Sequence, residues 1–216
     1  IHADLLPNIT DGIPEGCRVF VVETPPELQE AYQVSPEAAL VPTDQTGWYD
    51  WIKQFDPLEP RDISSPGAMI YTSGTTGRPK GVRRKSGTPD EMDNLYETIN
   101  QAFDIGPGKR TIIPAPLYHS APNTYGILCV VMGMDEMVLM PRFDPEDLLR
   151  LIEKHKTTHL QTVPTMFIRM LKLPEEERAK YDVSSLEFVV HAAAPCPPDI
   201  KQQMIDWWGP IINEYY

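Results

Sequence analysis

The amino-acid sequence predicts an α/β fold, a mostly parallel sheet flanked by helices. Three observations lead there. Short apolar runs recur along the chain, stretches of roughly 10–15 residues that read as helices separate them, and no hairpin dipeptide joins one run to the next. In such a sheet ligands sit at the carboxyl ends of the strands, so chemistry is sought in the segment after each strand.

In chain order, "CRVFVV" (Cys17 to Val22) reads as a short buried strand. The connection from there to about Pro66 is rich in Pro, Glu and Gln and shows little periodicity. "AMIYTS" (Ala68 to Ser73) is strand-like again, and a glycine-rich loop opens at its end. Thr88, Pro89, Asp90 and Glu91 form a helix start: a hydroxyl N-cap, proline at the first helical position and acids against the positive end of the dipole. This helix is expected to reach Phe103. "TIIPAP" is a short strand, Ala121 to Met134 an apolar helix, and "MVLM" a buried strand. Asp144, Pro145, Glu146 and Asp147 start a further helix, in which Leu148, Leu151 and Ile152 make an apolar stripe. "THLQTV", a helix from about Thr165, "LEFVVH", a helix after Pro197 and Pro198, and "IINEYY" complete the alternation. Three polar or small-residue segments then fall at strand ends: the loop after Tyr71, "YHS" after Pro116, and "HAAAP" after Val190.

Composition bounds the function. The chain has 216 residues, 41% of them hydrophobic and 23% charged, which fits a globular domain or part of one. Its longest apolar stretch, Tyr125 to Met134, falls well short of the roughly 20 residues a membrane span needs. The opening "IHADLLPNITDGIPEG" has no secretory pattern and no initiator Met, so the chain is expected to come from a longer protein. Cys17, Cys129 and Cys196 are far apart and form no CxxC, which argues against a disulfide framework or zinc site and makes the cytoplasm the default. A net charge of −12 opposes nucleic acid as a partner. Arg78, Lys80, Arg83, Arg84 and Lys85 nevertheless cluster beside the glycine loop, either to attract small phosphates or as a solvated charge run.

The loop itself is "YTSGTTGRPKGV", Tyr71 to Val82. Its glycines let backbone N–H groups approach an anion, Thr72, Ser73, Thr75 and Thr76 add hydroxyls, and Lys80 adds charge. The GxxxxGK nucleotide loop would need glycine before the lysine, where Pro79 stands, and Ser or Thr after it, where Gly81 stands. Gly74 and Gly77 also do not make the dinucleotide GxGxxG.

The full string resembles the phosphate loop of the adenylate-forming enzymes, the superfamily of acyl- and aryl-CoA synthetases, luciferases and peptide-synthetase adenylation domains. Further strings come in the order that family expects, so the resemblance runs from Ala68 to Tyr216. "PLYHS" looks like its carboxylate-site segment. "FDPEDLLRLIEKHKTTHLQTVPTMFIRML" looks like the elements lining its acyl pocket, "HAAAPCPP" like its adenine-side loop, and "NEYY" like the start of its last nucleotide motif. The resemblance implies that residues 1–216 are part of the family's large N-terminal AMP-binding domain, with an N-terminal portion and a small C-terminal domain lying outside them. Residues 1–216 alone are then expected to be nearly inactive.

The resemblance also assigns roles. Thr72, Ser73, Gly74, Thr75, Thr76, Gly77 and Lys80 would grip the ATP phosphates, with Thr75 and Thr76 nearest a Mg2+ ion. Lys80 and His119 would be catalytic. His119, Val163 and Met166 would border the acyl pocket, and Ala193, Ala194, Pro195, Tyr215 and Tyr216 would flank adenine. Alternatives stand beside these roles: His119 as a histidine bonded to backbone, and the Met166, Phe167, Met170 and Leu171 stripe as core. Alanines where the family usually has glycines narrow the permitted backbone angles. No aspartate stands between Pro114 and Met134 to pair with a substrate amine, so a plain carboxylic acid is expected. The implied activity is an ATP-dependent acyl-CoA synthetase for a fatty or other apolar acid, with coenzyme A as acceptor. An aryl-acid ligase, a luciferase-like enzyme and a non-catalytic nucleotide-binding relative are the alternatives.

Overall fold

Five short strands from the second half of the chain line up side by side, all parallel. They are β5 (Arg110–Ile113), β6 (Glu136–Leu139), β7 (His159–Thr162), β8 (Phe188–His191) and β9 (Ile212–Glu214), in the spatial order β6-β5-β7-β8-β9. The computed structural model describes residues 1–59, 69–72, 80–83 and 87–215. The chain divides into two units, Ile1–Ser64 and Ser65–Tyr216.

In the first unit, β1 (Phe20–Val21) pairs in parallel with β2 (Thr46–Gly47), so only part of "CRVFVV" is strand. Between and after them lie α1 (Pro26–Tyr32), α2 (Pro36–Ala39) and α3 (Trp48–Ile52), elements too short to leave a periodic trace in the sequence. Phe20 packs against Trp48 and Trp51, with ring centroids 5.6 and 4.5 Å apart, and Phe55 extends the cluster.

The second unit begins with a hairpin that the sequence does not predict. β3 (Met69–Thr72) and β4 (Lys80–Arg83) pair antiparallel in the register Met69↔Arg83 to Thr72↔Lys80. Hairpin dipeptides mark two-residue turns, whereas here the whole glycine-rich loop joins the strands. α4 (Pro89–Phe103) starts as the sequence predicts, with a capping box: Thr88 Oγ1 accepts from the Glu91 amide, and the Glu91 carboxylate accepts from the Thr88 amide.

Helices cover both faces of the five-stranded sheet. Ile113 and the residues of α5 (Ser120–Val131) form one cluster, with Ile105, Tyr125 and Cys129 fully buried in it and Phe103 of α4 packed against it. Ile112, one residue earlier and on the opposite side of the pleat, joins the larger cluster. That core takes Leu148, Leu149 and Ile152 from α6 (Pro145–His155), Phe167 and Met170 from α7 (Pro164–Leu171), and Met204 and Trp208 from α9 (Pro198–Trp208). A one-turn α8 (Glu175–Arg178) follows α7. The prediction for "MVLM" is corrected: β6 is an edge strand, half-buried, with Leu139 51% exposed. Among the described residues it has a neighbour on one side only, β5, so its outer flank lacks the strand pairing that a central strand has.

Candidate functional site

The strand order fixes where a crevice opens. β5 leads through α5 to β6 on one side, and the chain then crosses back so that β7 lies on the other side of β5. Connections leave this pair of strands in opposite directions, which is the switch point where open α/β sheets bind ligands. The ladder parts here as well. β5 and β7 pair only at Thr111↔His159 and Ile112↔Leu160, while β5 stays with β6 through Ile113↔Leu139 and β7 stays with β8 through Thr162↔His191.

Two predicted segments follow the carboxyl ends of these two strands. After β5 comes His119, the N-cap residue of α5, with φ −78° and ψ 143°. Its amide donates to the Pro116 carbonyl at 3.1 Å, its carbonyl accepts from the Asn123 amide at 3.1 Å, and its imidazole is exposed beside Tyr118, with ring centroids 4.4 Å apart. The ring makes no capping bond to the helix. After β7 comes Val163, half-buried at the N-cap of α7, and Met166, whose amide donates to the Val163 carbonyl at 2.9 Å. The helical stripe divides as its two readings allowed. Phe167 and Met170 belong to the main core and Leu171 packs at its edge, while Met166, though buried, lies outside that cluster.

Beside α5, Leu117, Gly126, Ile127, Val130 and Met137 line an apolar groove of about 240 Å3. Gly126 is its floor: a Cβ there would lie 3.6 Å from Leu117 and 3.7 Å from the Met137 sulfur.

The third segment comes after β8. Ala192 is buried, Ala193, Ala194 and Pro195 are exposed, and Ala193 is held at φ 74°, a left-handed conformation that side-chain-bearing residues avoid. Beneath this loop His191 is fully buried, its Nε2 3.8 Å from a Glu214 carboxylate oxygen and its ring edge-on to Phe167. Burial pushes the His191 pKa down, opposed by Glu214 and assisted by Lys201. Lys201 Nζ of α9 lies 2.9 Å from the same Glu214 oxygen. Tyr215 is half-buried. Its amide donates to the His191 carbonyl at 3.3 Å, its hydroxyl accepts from Gln161 Nε2 at 2.7 Å, and its ring meets Phe103 at 5.3 Å. Burial raises the Tyr215 pKa, and the Gln161 bond offsets part of that rise. Gln161, His191, Lys201 and Glu214 are not singled out by the sequence; polar residues inside or beside buried strands are the signal that could have found them.

Lys80 is exposed at the start of β4, opposite Thr72 in the hairpin. Ser73, Gly74, Thr75, Thr76 and Gly77, together with Tyr216, lie outside the described residues. Among the described residues no group of three or more His, Cys, Asp and Glu could hold a metal ion, and no helix is long and apolar enough to cross a membrane.

The AMP-binding enzyme family model matches residues 5–216. The chain belongs to the AMP-binding enzyme family. Among its relatives, a long-chain-fatty-acid–CoA ligase of Bacillus subtilis is 33% identical over 68% of this chain and 26% of its own length. A feruloyl-CoA synthase of an Amycolatopsis species is 32% identical over 93% of this chain and 40% of its own length. Thus this AMP-binding chain spans about a quarter to two-fifths of these relatives. In fold, the amide bond synthetase McbA of Marinactinospora thermotolerans superposes with a TM-score of 0.68 at 23% identity, over the whole of this chain and 43% of that one.

Proposed function

We propose that the full-length protein is an ATP-dependent acyl-CoA ligase acting on a largely apolar carboxylic acid. The observation that supports this reading is the parting of β5 from β7, with His119 in the segment after one strand and Val163 and Met166 in the segment after the other. A substrate carboxylate would be oriented by the His119 imidazole. One of its oxygens attacks the α-phosphorus of ATP, the bond to the β-phosphate oxygen breaks, and pyrophosphate leaves. The thiolate of coenzyme A then attacks the acyl carbonyl and AMP departs. Lys80 and the hydroxyls and amides of the glycine loop, Thr72 through Gly77, would stabilise phosphate charge as it shifts, so catalysis is mainly positioning and electrostatics. Ala193, Ala194 and Pro195 would lie along adenine, with Tyr216, or next Tyr215, stacked against it.

Magnesium would neutralise the phosphate oxygens. Such a hard cation is commonly held by substrate phosphates and few protein oxygens, which fits a chain whose described residues offer no acidic cage. Thr75 and Thr76 are its nearest candidates. The apolar groove beside α5, headed by Leu117 two residues before His119, supports an apolar acid. The feruloyl-CoA synthase relative supports an aryl acid as the second reading. Three free cysteines support a reducing compartment such as the cytoplasm.

A panel of aliphatic and aryl acids, assayed with the full-length protein, ATP, magnesium and coenzyme A, tests the reading. Thioester from at least one acid is expected, and thioester from none overturns it. Lys80→Ala should slow acid-dependent exchange of pyrophosphate into ATP by about 10²–10³-fold, the usual loss when one preorganised donor is removed.

A further inference from the structure

Glu214 approaches residues on both sides of the loop at 192–197. Before it stands His191, the last residue of β8, and after it comes Lys201 in the second turn of α9. Both approach Glu214 at the end of β9, Lys201 at 2.9 Å and His191 at 3.8 Å. Glu214 pairs with His191 across the β8–β9 ladder and directly precedes Tyr215, whose amide is bonded back to the His191 carbonyl. The site is largely withdrawn from water: the His191 side chain is fully buried, Glu214 is 20% exposed and Lys201 30%. Cys196 is close enough for its thiol to feel both charges: burial chiefly raises its pKa, and Glu214 adds to that while Lys201 opposes it. The loop so enclosed also contains Ala193 at φ 74°, a conformation that persists only where its surroundings impose it.

We propose that Glu214, through its ion pair with Lys201, is the positioning residue of the nucleotide site, setting the separation between the Ala193–Pro195 loop and Tyr215 and hence the slot for the adenine ring. Neither charge touches the nucleotide. The carboxylate fixes β9 and Tyr215 after it. The ammonium fixes the first turns of α9 and, through Pro197, the far end of the loop. His191 stays neutral beneath them and fills the space between Phe167 and the carboxylate. The inference rests on the reading of 193–195 as the adenine side, so the two are tested separately.

The measurement is ATP and AMP affinity of the full-length protein by calorimetry, with kinetic constants for acid and coenzyme A and the melting temperature alongside. Glu214→Gln and Lys201→Met should each raise Kd for both nucleotides by about 5- to 10-fold, the size of effect that loss of a partly buried pair transmits. KM for the acid should stay within about 2-fold of wild type. Lys201→Arg, which keeps the pair, should bind like wild type. Lys156→Met, which breaks the exposed pair with Asp182, is the control and should leave nucleotide affinity unchanged. Wild-type affinity in both Glu214→Gln and Lys201→Met overturns the inference while leaving the adenylation reading intact. A loss that appears equally in Lys156→Met, or that tracks melting temperature across all variants, overturns it too. A wild-type protein that binds neither ATP nor AMP overturns the adenylation reading itself, and this inference with it.

Discussion

Ala193 shows how a single side chain can be at odds with its backbone. At φ 74° its Cβ crowds the carbonyl oxygen, and glycine would meet no such conflict. Ala193→Gly should therefore stabilise the protein by about 1 kcal/mol, read as a higher denaturant midpoint at unchanged slope. A lower midpoint would mean that the loop gains more from restricting the unfolded chain than it loses to strain. His159 and His191 are the other residues under tension. Both are fully buried, and burial lowers both pKa values. Lys109 pushes His159 down further, while Asp104 and Glu187 oppose it; Lys201 and Glu214 do the same for His191. A histidine depressed in the folded state takes up its proton first in the unfolded chain. Its stabilising contribution is thus intact above about pH 6.5 and is lost as pH falls through the folded value. Unfolding free energy should decline below about pH 6.5, and His159→Phe should flatten that decline. An unchanged pH profile in the variant would assign the acid sensitivity elsewhere.

At the scale of the element, helix starts differ in how they are capped. α6 is capped by Asp144, whose Oδ1 accepts from the amides of Glu146 and Asp147, both at 3.0 Å. Asp144→Ala should cost about 1–2 kcal/mol in equilibrium unfolding. α5 begins instead with His119, which caps nothing. His119→Ser would supply the missing acceptor, so it should raise stability by up to about 1 kcal/mol while raising KM for the acid, a divergence that separates a substrate role from a structural one. Cap chemistry is local, and for that reason Thr88 and Asp144 announced their helices in the sequence to the residue. The β3–β4 hairpin did not announce itself, because the two strands lie too far apart in the sequence for a two-residue turn and no two-residue signature stands between them. "MVLM" looked buried because its composition is apolar, but burial depends on strand order, which no short window contains. The site divides in the same way. The glycine loop, His119 and the Ala193 segment are contiguous strings and could be read directly. The Glu214, Lys201 and His191 group draws one residue from each of three elements and exists only through the parallel pairing of β8 with β9.

For the whole molecule, the central sheet serves as the wall of the core and the frame of the crevice. Leu160 is fully buried in the larger cluster and pairs with Ile112 at the last rung before β5 and β7 separate. Leu160→Ala should cost about 2–5 kcal/mol, and because the cavity opens at that rung, protection of the Ile113 and Gln161 amides from hydrogen exchange should fall more than that of β9. Uniform loss across all five strands would show that the sheet opens only as a unit. The crossing-back of the chain has a further consequence, one of inheritance. The segments after β5 and after β7 are carried by different helices on opposite faces, and α7 also reaches the β8–β9 side, where Phe167 meets the His191 ring. Under the proposed reading, descendants of one ancestral sequence can exchange the α5 segment by small mutations, and change which acid is admitted, while the contacts of α7 with the nucleotide side are kept. A single scaffold can in this way give rise to a lineage of enzymes with different appetites.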